Sequence, residues 1–274
     1  MTIPVDFNLV AAEYNAAVRR LILLDYDGTL VPFANDPRLA KPDARLRAIV
    51  TKLASNKCND VVVISGRTQQ DLDDFFGDVG ITLVAEHGGF YKPPFGGWSQ
   101  SFNISADWIS PVAKAIKALT FQHEGTHLEE KHYSVVWHYR PVVDRLTRRE
   151  LNEILDALRR LPDHGKFIID NSQYTIELRT PLIEKGVFLD WWCRDGYDFK
   201  IAFGDGRTDE DLFRTLRGRA FTIRIGESDT SAAAFHLTDQ ADVLPFLTKL
   251  LLVNEEFERM KQDIGLDQED FRAI

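Results

Sequence analysis

The sequence predicts an α/β fold: a doubly wound parallel sheet, Rossmann-like, with a smaller α+β segment inserted into it. Three observations predict it. Nearly continuous apolar runs recur at Leu21–Leu24, Val61–Ile64, Ile81–Ala85 and Ile201–Phe203, as expected for strands buried on both faces. Between them lie stretches with helical apolar spacing, and that alternation yields parallel strands covered by helices. Each run ends abruptly in polar residues and glycine: Asp25-Tyr26-Asp27-Gly28-Thr29, Ser65-Gly66-Arg67, Glu86-His87-Gly88-Gly89 and Gly204-Asp205-Gly206. Ligands of such sheets bind beyond the carboxyl ends of the strands, so these ends point to one site.

In chain order, residues 8–19 read as a leading helix before the strand at Leu21–Leu24. From Pro42 to Leu53 the apolar positions Leu46, Ile49, Val50 and Leu53 keep helical spacing. After the strand Val61–Ile64, Thr68 caps a helix reaching Phe76, and Ile81–Ala85 is the third strand. Pro93-Pro94-Phe95-Gly96-Gly97 is a turn. The texture then changes. A helix over Trp108–Leu119 precedes alternation around Leu128, Val136, Trp137 and Tyr139. A second helix over Val143–Leu161 precedes Phe167–Ile169 and Tyr174–Arg179. Helix, strand pair, helix, strand pair is a small α+β layer. The first pattern returns with a helix over Lys185–Cys193, a strand over Lys200–Phe203, a helix over Thr208–Leu216, a strand over Ala220–Ile225 and a closing helix over Ala241–Leu252. Residues 1–103 and 184–274 are thus expected to form the core, and 104–183 the insertion. The acidic last dozen or so residues are expected to form a loose tail.

Composition bounds the function. The 274 residues are 44% hydrophobic and 27% charged, which is ordinary for a packed globular chain. Lys and Arg number 33 against 42 Asp and Glu, a net charge of −9 that disfavours nucleic acid and anionic membranes as partners. Only Cys58 and Cys193 are present, with no zinc spacing, which favours idle thiols in a reducing compartment. No apolar run approaches the roughly 18 residues of a membrane span. The amino-terminal stretch lacks the order of a signal peptide, and Met1 with its long lead-in suits a free-standing protein. A cytoplasmic monomer is the expectation.

The chemistry-bearing residues sit at element boundaries. Two carboxylates at a strand end, Asp25 and Asp27, are costly unless paired or bound to a cation. Taken alone, they fit a turn with capping aspartates equally well. Ser65 and nearby backbone N–H groups are placed to hold a phosphate, and Lys185 offers a compact cation for it. Asp205 and Asp209 add carboxylates at another strand end, a setting that suits Mg²⁺. Singly, a cap, a solvated lysine and a turn explain them; their joint occurrence in order does not reduce so easily.

With these residues in hand, the chain resembles the haloacid-dehalogenase superfamily of aspartate-nucleophile phosphatases, and within it the trehalose-6-phosphate phosphatase family. The stretches that carry the resemblance are LLDYDGTLVPF, DVVVISGRT, LVAEHGGFY, LEEKHYSVVWHYR, TIELRTPLIEKG and GDGRTDEDLF. The resemblance implies Asp25 as nucleophile, Asp27 as general acid and base, and Ser65 and Lys185 as holders of the phosphate. It implies Mg²⁺ on Asp25, the Asp27 carbonyl and Asp205, supported by Asp209. Thr29, Gly66 and Arg67 would lie near the transferring group. The insertion would be a cap that closes over a phosphorylated disaccharide and reads it through Glu129, Lys131, Arg140 and Glu177, with His87 and Gly88 from the core. His138 would support them. Without the resemblance, a solvated face with ordinary ion pairs explains the cap residues as well.

Three places depart from the family pattern. Gly206 stands where a second Asp is usual, Glu184 where Asn precedes Lys-Gly, and Ser172-Gln173-Tyr174 and Thr180 replace a Gly-Asn-Lys turn and a Pro. A Glu at 184 repels a phosphate unless it points away. Hydrolysis of trehalose 6-phosphate is the leading expectation. A phosphatase for another disaccharide or pseudo-disaccharide phosphate, a catalytically silent sugar-phosphate-binding module, and a phosphotransferase or mutase remain as alternatives.

Overall fold

A computed structural model describes residues 1–34, 36–172, 174–193 and 196–263. The expected acidic tail and Gln173 of the departing turn lie outside them. The elements begin with β1 (Ile3–Pro4), α1 (Phe7–Ala16), β2 (Arg20–Leu24), α2 (Ala44–Ser55), β3 (Asn59–Ile64), α3 (Gln69–Phe76), β4 (Thr82–Ala85), β5 (Phe90–Lys92) and β6 (Ser99–Gln100). They continue with α4 (Ile109–Gln122), β7 (His127–Glu130), β8 (Ser134–His138), α5 (Arg148–Arg159), β9 (Ile168–Ser172) and β10 (Thr175–Arg179). The last are α6 (Lys185–Trp192), β11 (Phe199–Gly204), α7 (Glu210–Thr215), β12 (Phe221–Ile225), β13 (Phe235–Leu237) and α8 (Val243–Asp263).

Among the described residues the main sheet runs β1-β13-β12-β11-β2-β3-β4-β5-β6. Its members are parallel from β1 to β4 and antiparallel at β5 and β6. The chain leaves the central β2 toward β3 on one side and returns as β11 on the other. That reversal opens the crevice where polar strand ends converge. β2 is buried along its whole length, and its alternating side chains enter two layers. Ile22 and Leu24 join Val10, Tyr14, Val50, Leu53, Phe76 and Leu247 on one face. Leu21 and Leu23 meet Phe188, Leu189, Leu212 and Phe213 on the other. Each fully buried Leu, Ile or Phe contributes about 1.5–3 kcal/mol, and this offsets the cost of fixing charged groups at the strand ends.

Several expected boundaries move, each for a local reason. The leading helix stops at Ala16 because Ala17 turns extended, and Asp198 Oδ2 accepts the Val18 and Arg19 N–H groups at 3.1 and 2.9 Å. The second insertion helix starts at Arg148, not Val143, because Thr147 and Glu150 form a capping box there and a short 3₁₀ turn occupies Arg140–Val142. The helix expected over Thr208–Leu216 opens as a 3₁₀ turn at Arg207–Asp209. The closing helix runs on to Asp263, anchored by the buried Asn254, whose amide bonds to Asn15 and Asn56 lie at 2.9 and 3.0 Å. The Pro93–Gly97 turn closes the antiparallel hairpin β5–β6. β1 and β13 are too short to show in the sequence. The capping box at Thr68 is present as expected.

A separate antiparallel sheet, β7-β8-β10-β9, carries α4 and α5 on one face. Register explains its two faces. Leu128, Trp137, Ile176 and Asn171 are directly opposed across the sheet, and the apolar members pack on Trp108, Ile109, Val112 and Ile116. Glu129, Val136, Glu177 and Asp170 form the next opposed row, so they share the other face. That face carries charge and looks toward the strand ends of the main sheet.

Candidate active site

Asp25 follows β2 directly, its N–H donating to Phe203 O at 3.1 Å, so the sheet itself aims the residue. Its carboxylate is buried; Lys185 Nζ donates to Oδ1 at 2.5 Å and Thr29 Oγ1 to Oδ2 at 3.1 Å. The turn that returns over it needs Gly28, which has φ +81° and approaches so closely that a Cβ would lie 2.5 Å from Asp205 Cγ. Asp27 stands beside it, and its two oxygens accept from Arg67 Nε at 2.7 Å and Nη2 at 2.6 Å. Ser65 ends β3, fully buried, and its Oγ accepts the Arg67 N–H at 3.2 Å.

Asp25, Asp205 and Asp209 bring oxygens within 4.8 Å of one another. Lys185 bridges two of them, donating to Asp209 Oδ1 at 2.7 Å as well as to Asp25. One ammonium does not balance three carboxylates. Burial and the charge of Asp209 push Asp25 up to about 7 despite Lys185. Burial, Asp25 and Asp209 push Asp205 up to about 8. Burial opposes the charge of Lys185, but Asp209 and Asp25 outweigh it and hold the ammonium well above its usual range. A hard divalent cation relieves this excess, and an all-oxygen donor set fits Mg²⁺ better than softer metals. Gly206 donates its N–H to Asp209 Oδ2 at 3.0 Å and fixes that carboxylate.

The loop after β4 is strained. Glu86 and His87 both have left-handed φ, +47° and +58°, and Gly88 has +114°. Bonds of 2.9 Å from Glu86 N to Arg67 O and from His87 N to Ser65 O hold it against the β3 end. Gly88 also cannot carry a side chain, since a Cβ would meet Phe188 Cβ at 2.6 Å.

The charged face of the smaller sheet docks on this loop. Glu86 accepts the Tyr133 and His132 N–H groups at 2.9 and 3.3 Å. Lys131 Nζ donates to Gly66 O at 2.9 Å and lies 3.7 Å from Glu129. His87 lies 3.3 Å from Glu177, and His138 3.0 Å from Glu129 while stacking on His127. Burial opposes ionisation of Glu129, but Lys131 and His138 hold it down at about 2. Burial likewise opposes Glu177, and His87 and Lys131 hold it well below the usual carboxylate range. Arg140 lies at the margin of this face, over the ring of Tyr174 at 4.6 Å and that of Phe33 at 5.8 Å.

The profile of a family described as trehalose-phosphatase matches residues 23–240. The chain belongs to the trehalose-phosphatase family. It is 31% identical over 240 residues to a bifunctional trehalose-6-phosphate synthase/phosphatase of Thermoproteus tenax, covering 87% of this chain and 33% of that protein. It is 32% identical over 256 residues to a trehalose-phosphatase of Schizosaccharomyces pombe, covering 86% of this chain and 31% of that one. The chain thus spans about a third of the length of the curated relatives it matches. The solved carboxyl-terminal domain of Candida albicans trehalose-6-phosphate phosphatase superposes with a TM-score of 0.84 at 26% identity, covering 92% of this chain and 98% of that one. The fold is the α/β one of the haloacid-dehalogenase superfamily.

Against the trehalose-phosphatase pattern, the expected residues fall into two groups. Asp25, Asp27, Thr29, Ser65, Gly66, Arg67, Lys185, Asp205 and Asp209 come together at the ends of β2, β3 and β11. His87, Gly88, Glu129, Lys131 and Glu177 line the junction beside them, with Arg140 at the edge. Arg67 is engaged by the carboxylate of Asp27, a contact spanning 40 residues that no local pattern announces. Gly66 and Gly88 matter here for what they leave out: a Cβ on Gly66 would lie 2.6 Å from the His87 ring. Glu184 turns toward Arg179, 3.5 Å away, which answers the expected repulsion. Glu86 stands among the polar strand ends that point to the site, but its role in clamping the two sheets together carries no sequence signal, and neither does the pair Asp170–Arg207, because each acts through partners distant in the chain.

Proposed function

We propose that this protein is a Mg²⁺-dependent phosphatase that hydrolyses trehalose 6-phosphate to trehalose and phosphate through an aspartyl-phosphate. The observation that carries the reading is the junction. A charged face, half-buried at Glu129, Lys131 and Glu177, is bonded to the very loops that hold Ser65 and Asp27. Phosphate chemistry on one side and hydroxyl recognition on the other suit a phosphorylated sugar. The names of the family's members supply the sugar.

Asp25, aimed by β2, attacks phosphorus, and its carboxylate becomes the acyl phosphate. Asp27 gives a proton to the departing sugar oxygen, then takes one from the water that cleaves the acyl phosphate, which returns Asp25 as a carboxylate. To do so one Asp27 oxygen must leave Arg67, which otherwise holds the group at the rim. Ser65 and Thr29 offer hydroxyl donors to phosphate oxygens, and Lys185 supplies positive charge beside the nucleophile. Asp25, Asp205 and the Asp27 carbonyl would hold Mg²⁺, with Asp209 behind them. Bound there, the ion supplies charge neutralisation for the transferring phosphoryl group. We assign residues 1–103 and 184–274 to the catalytic core and 104–183 to a cap that closes over the sugar, in a monomeric cytoplasmic enzyme. Among the described residues no helix is long and apolar enough to cross a membrane. Retention of Asp25 and Asp27 side by side counts against a binding-only module.

Acid quenching of the enzyme with phosphoryl-labelled substrate tests the mechanism. Label stays on the wild-type chain and is absent from Asp25→Asn. Undiminished turnover by Asp25→Asn would refute the nucleophile.

A further inference from the structure

We propose that Asp170 is a specificity-determining residue, a buried acceptor for a sugar hydroxyl in the same cleft. The inference rests on the phosphatase reading above and extends the sugar-binding face beyond the residues carried over from the family.

Three observations support it. First, register places Asp170 directly opposite Glu177, with Glu129 at the far end of the same row. The three carboxylates therefore share the face turned to the core. Second, Asp170 is only 5% exposed, yet its Oδ1 accepts no hydrogen bond among the described residues. Glu177 Oε1 beside it and His87 Nδ1 opposite are in the same condition. A buried acceptor without a donor is costly, and such groups persist where a ligand supplies the donor. Third, Arg207 reaches over from the core with Nη1 at 3.7 Å from that oxygen. This is close enough to offset the charge and too long for a hydrogen bond. Arg207 therefore lies beside the carboxylate and leaves the acceptor position of Oδ1 without a hydrogen-bond donor.

The chemistry selects the ligand. A row of carboxylates repels a phosphate and accepts from O–H groups. The row crosses three inter-strand spacings, roughly 14 Å. That exceeds one hexose ring and suits the two rings of a disaccharide. Glu129 and Asp170 would then mark the two ends of the sugar, with Glu177 between them.

The test compares kcat/KM for trehalose 6-phosphate and for p-nitrophenyl phosphate, which has no sugar. Asp170→Ala is expected to lower the first about 10- to 100-fold, mainly through KM, and to leave the second within about twofold. Asp170→Asn, which keeps the volume and one acceptor oxygen, is expected to lose less and serves where the alanine variant folds poorly. Arg207→Ala separates a mere latch between the sheets, because a latch affects both substrates alike. Equal losses on both substrates, or no loss on either, would overturn the role of Asp170. If the wild-type enzyme prefers another sugar phosphate, the substrate assignment fails instead, and the same comparison on that sugar phosphate still decides Asp170.

Discussion

Replacing Lys185 by Met removes the one ammonium that bridges Asp25 and Asp209. Its Nζ lies 2.5 Å from the first and 2.7 Å from the second, and its side chain is 1% exposed. Water cannot take over the lost contacts, and Met fills much of the same volume without charge. Removing one partner of a buried pair costs about 3–5 kcal/mol. Partial protonation of the carboxylates softens the loss, so about 3 kcal/mol is expected at pH 8, a fall of roughly 6–12 °C in Tm for a chain of this size. The sign of the pH dependence follows from Asp25, pushed up to about 7, and Asp205, pushed up to about 8. Groups raised on folding bind more protons in the native state, so they cost stability as pH rises through the interval from their ordinary value to the raised one. Lys185→Met steepens that loss, and its deficit is therefore larger at pH 8 than at pH 5. Thermal unfolding of both proteins at the two pH values, in chelator and then in Mg²⁺, measures it. Mg²⁺ is expected to restore part of the loss by neutralising the same carboxylates. An unchanged Tm, or a deficit that grows toward pH 5, would refute the electrostatic reasoning.

Two further perturbations probe the junction. Gly66→Ala puts a Cβ 2.6 Å from the His87 ring and drives it off Glu177; kcat/KM for trehalose 6-phosphate is expected to fall about tenfold, with stability lower by about 1–3 kcal/mol. Glu129, held at about 2 from an ordinary 4.5, contributes stability that is present above about 4.5 and is lost as pH falls toward about 2. A carbon-detected NMR titration is expected to find its carboxyl near the lower value, and Lys131→Met to raise it by about one unit or more. Titration near 4.5 in both proteins would dismiss the ion-pair explanation.

How much of this was legible in the sequence depends on range. Leu21–Leu24 reads as a buried strand because burial on both faces leaves no polar position, and Asp25 stands out because a carboxylate interrupts that run. Thr68 and Lys185 are visible for a similar reason, since caps and helix starts are local. The short β1 and β13 have too few residues to carry a pattern, and they exist only because β13 pairs with β12 and β1 adds to β13 at the sheet edge. The cap residues Glu129, Lys131 and Glu177 look like any solvated strand face until register turns them inward; only the resemblance singled them out. The resemblance puts Arg67 near the phosphate, yet its bidentate grip on Asp27 depends on how β2 and β3 end side by side. Asp170 is one aspartate among many in the sequence, and only its burial, its acceptor oxygen without a hydrogen bond among the described residues and its place opposite Glu177 set it apart.

The most direct measurement is phosphate release from trehalose 6-phosphate and glucose 6-phosphate, each with Mg²⁺ and with chelator. Release from trehalose 6-phosphate is expected to exceed that from glucose 6-phosphate by at least about 10²-fold in kcat/KM, and to vanish in chelator. Equal rates on the two esters would contradict recognition of the disaccharide by the cap face, and undiminished turnover in chelator would contradict a cation on Asp25 and Asp205.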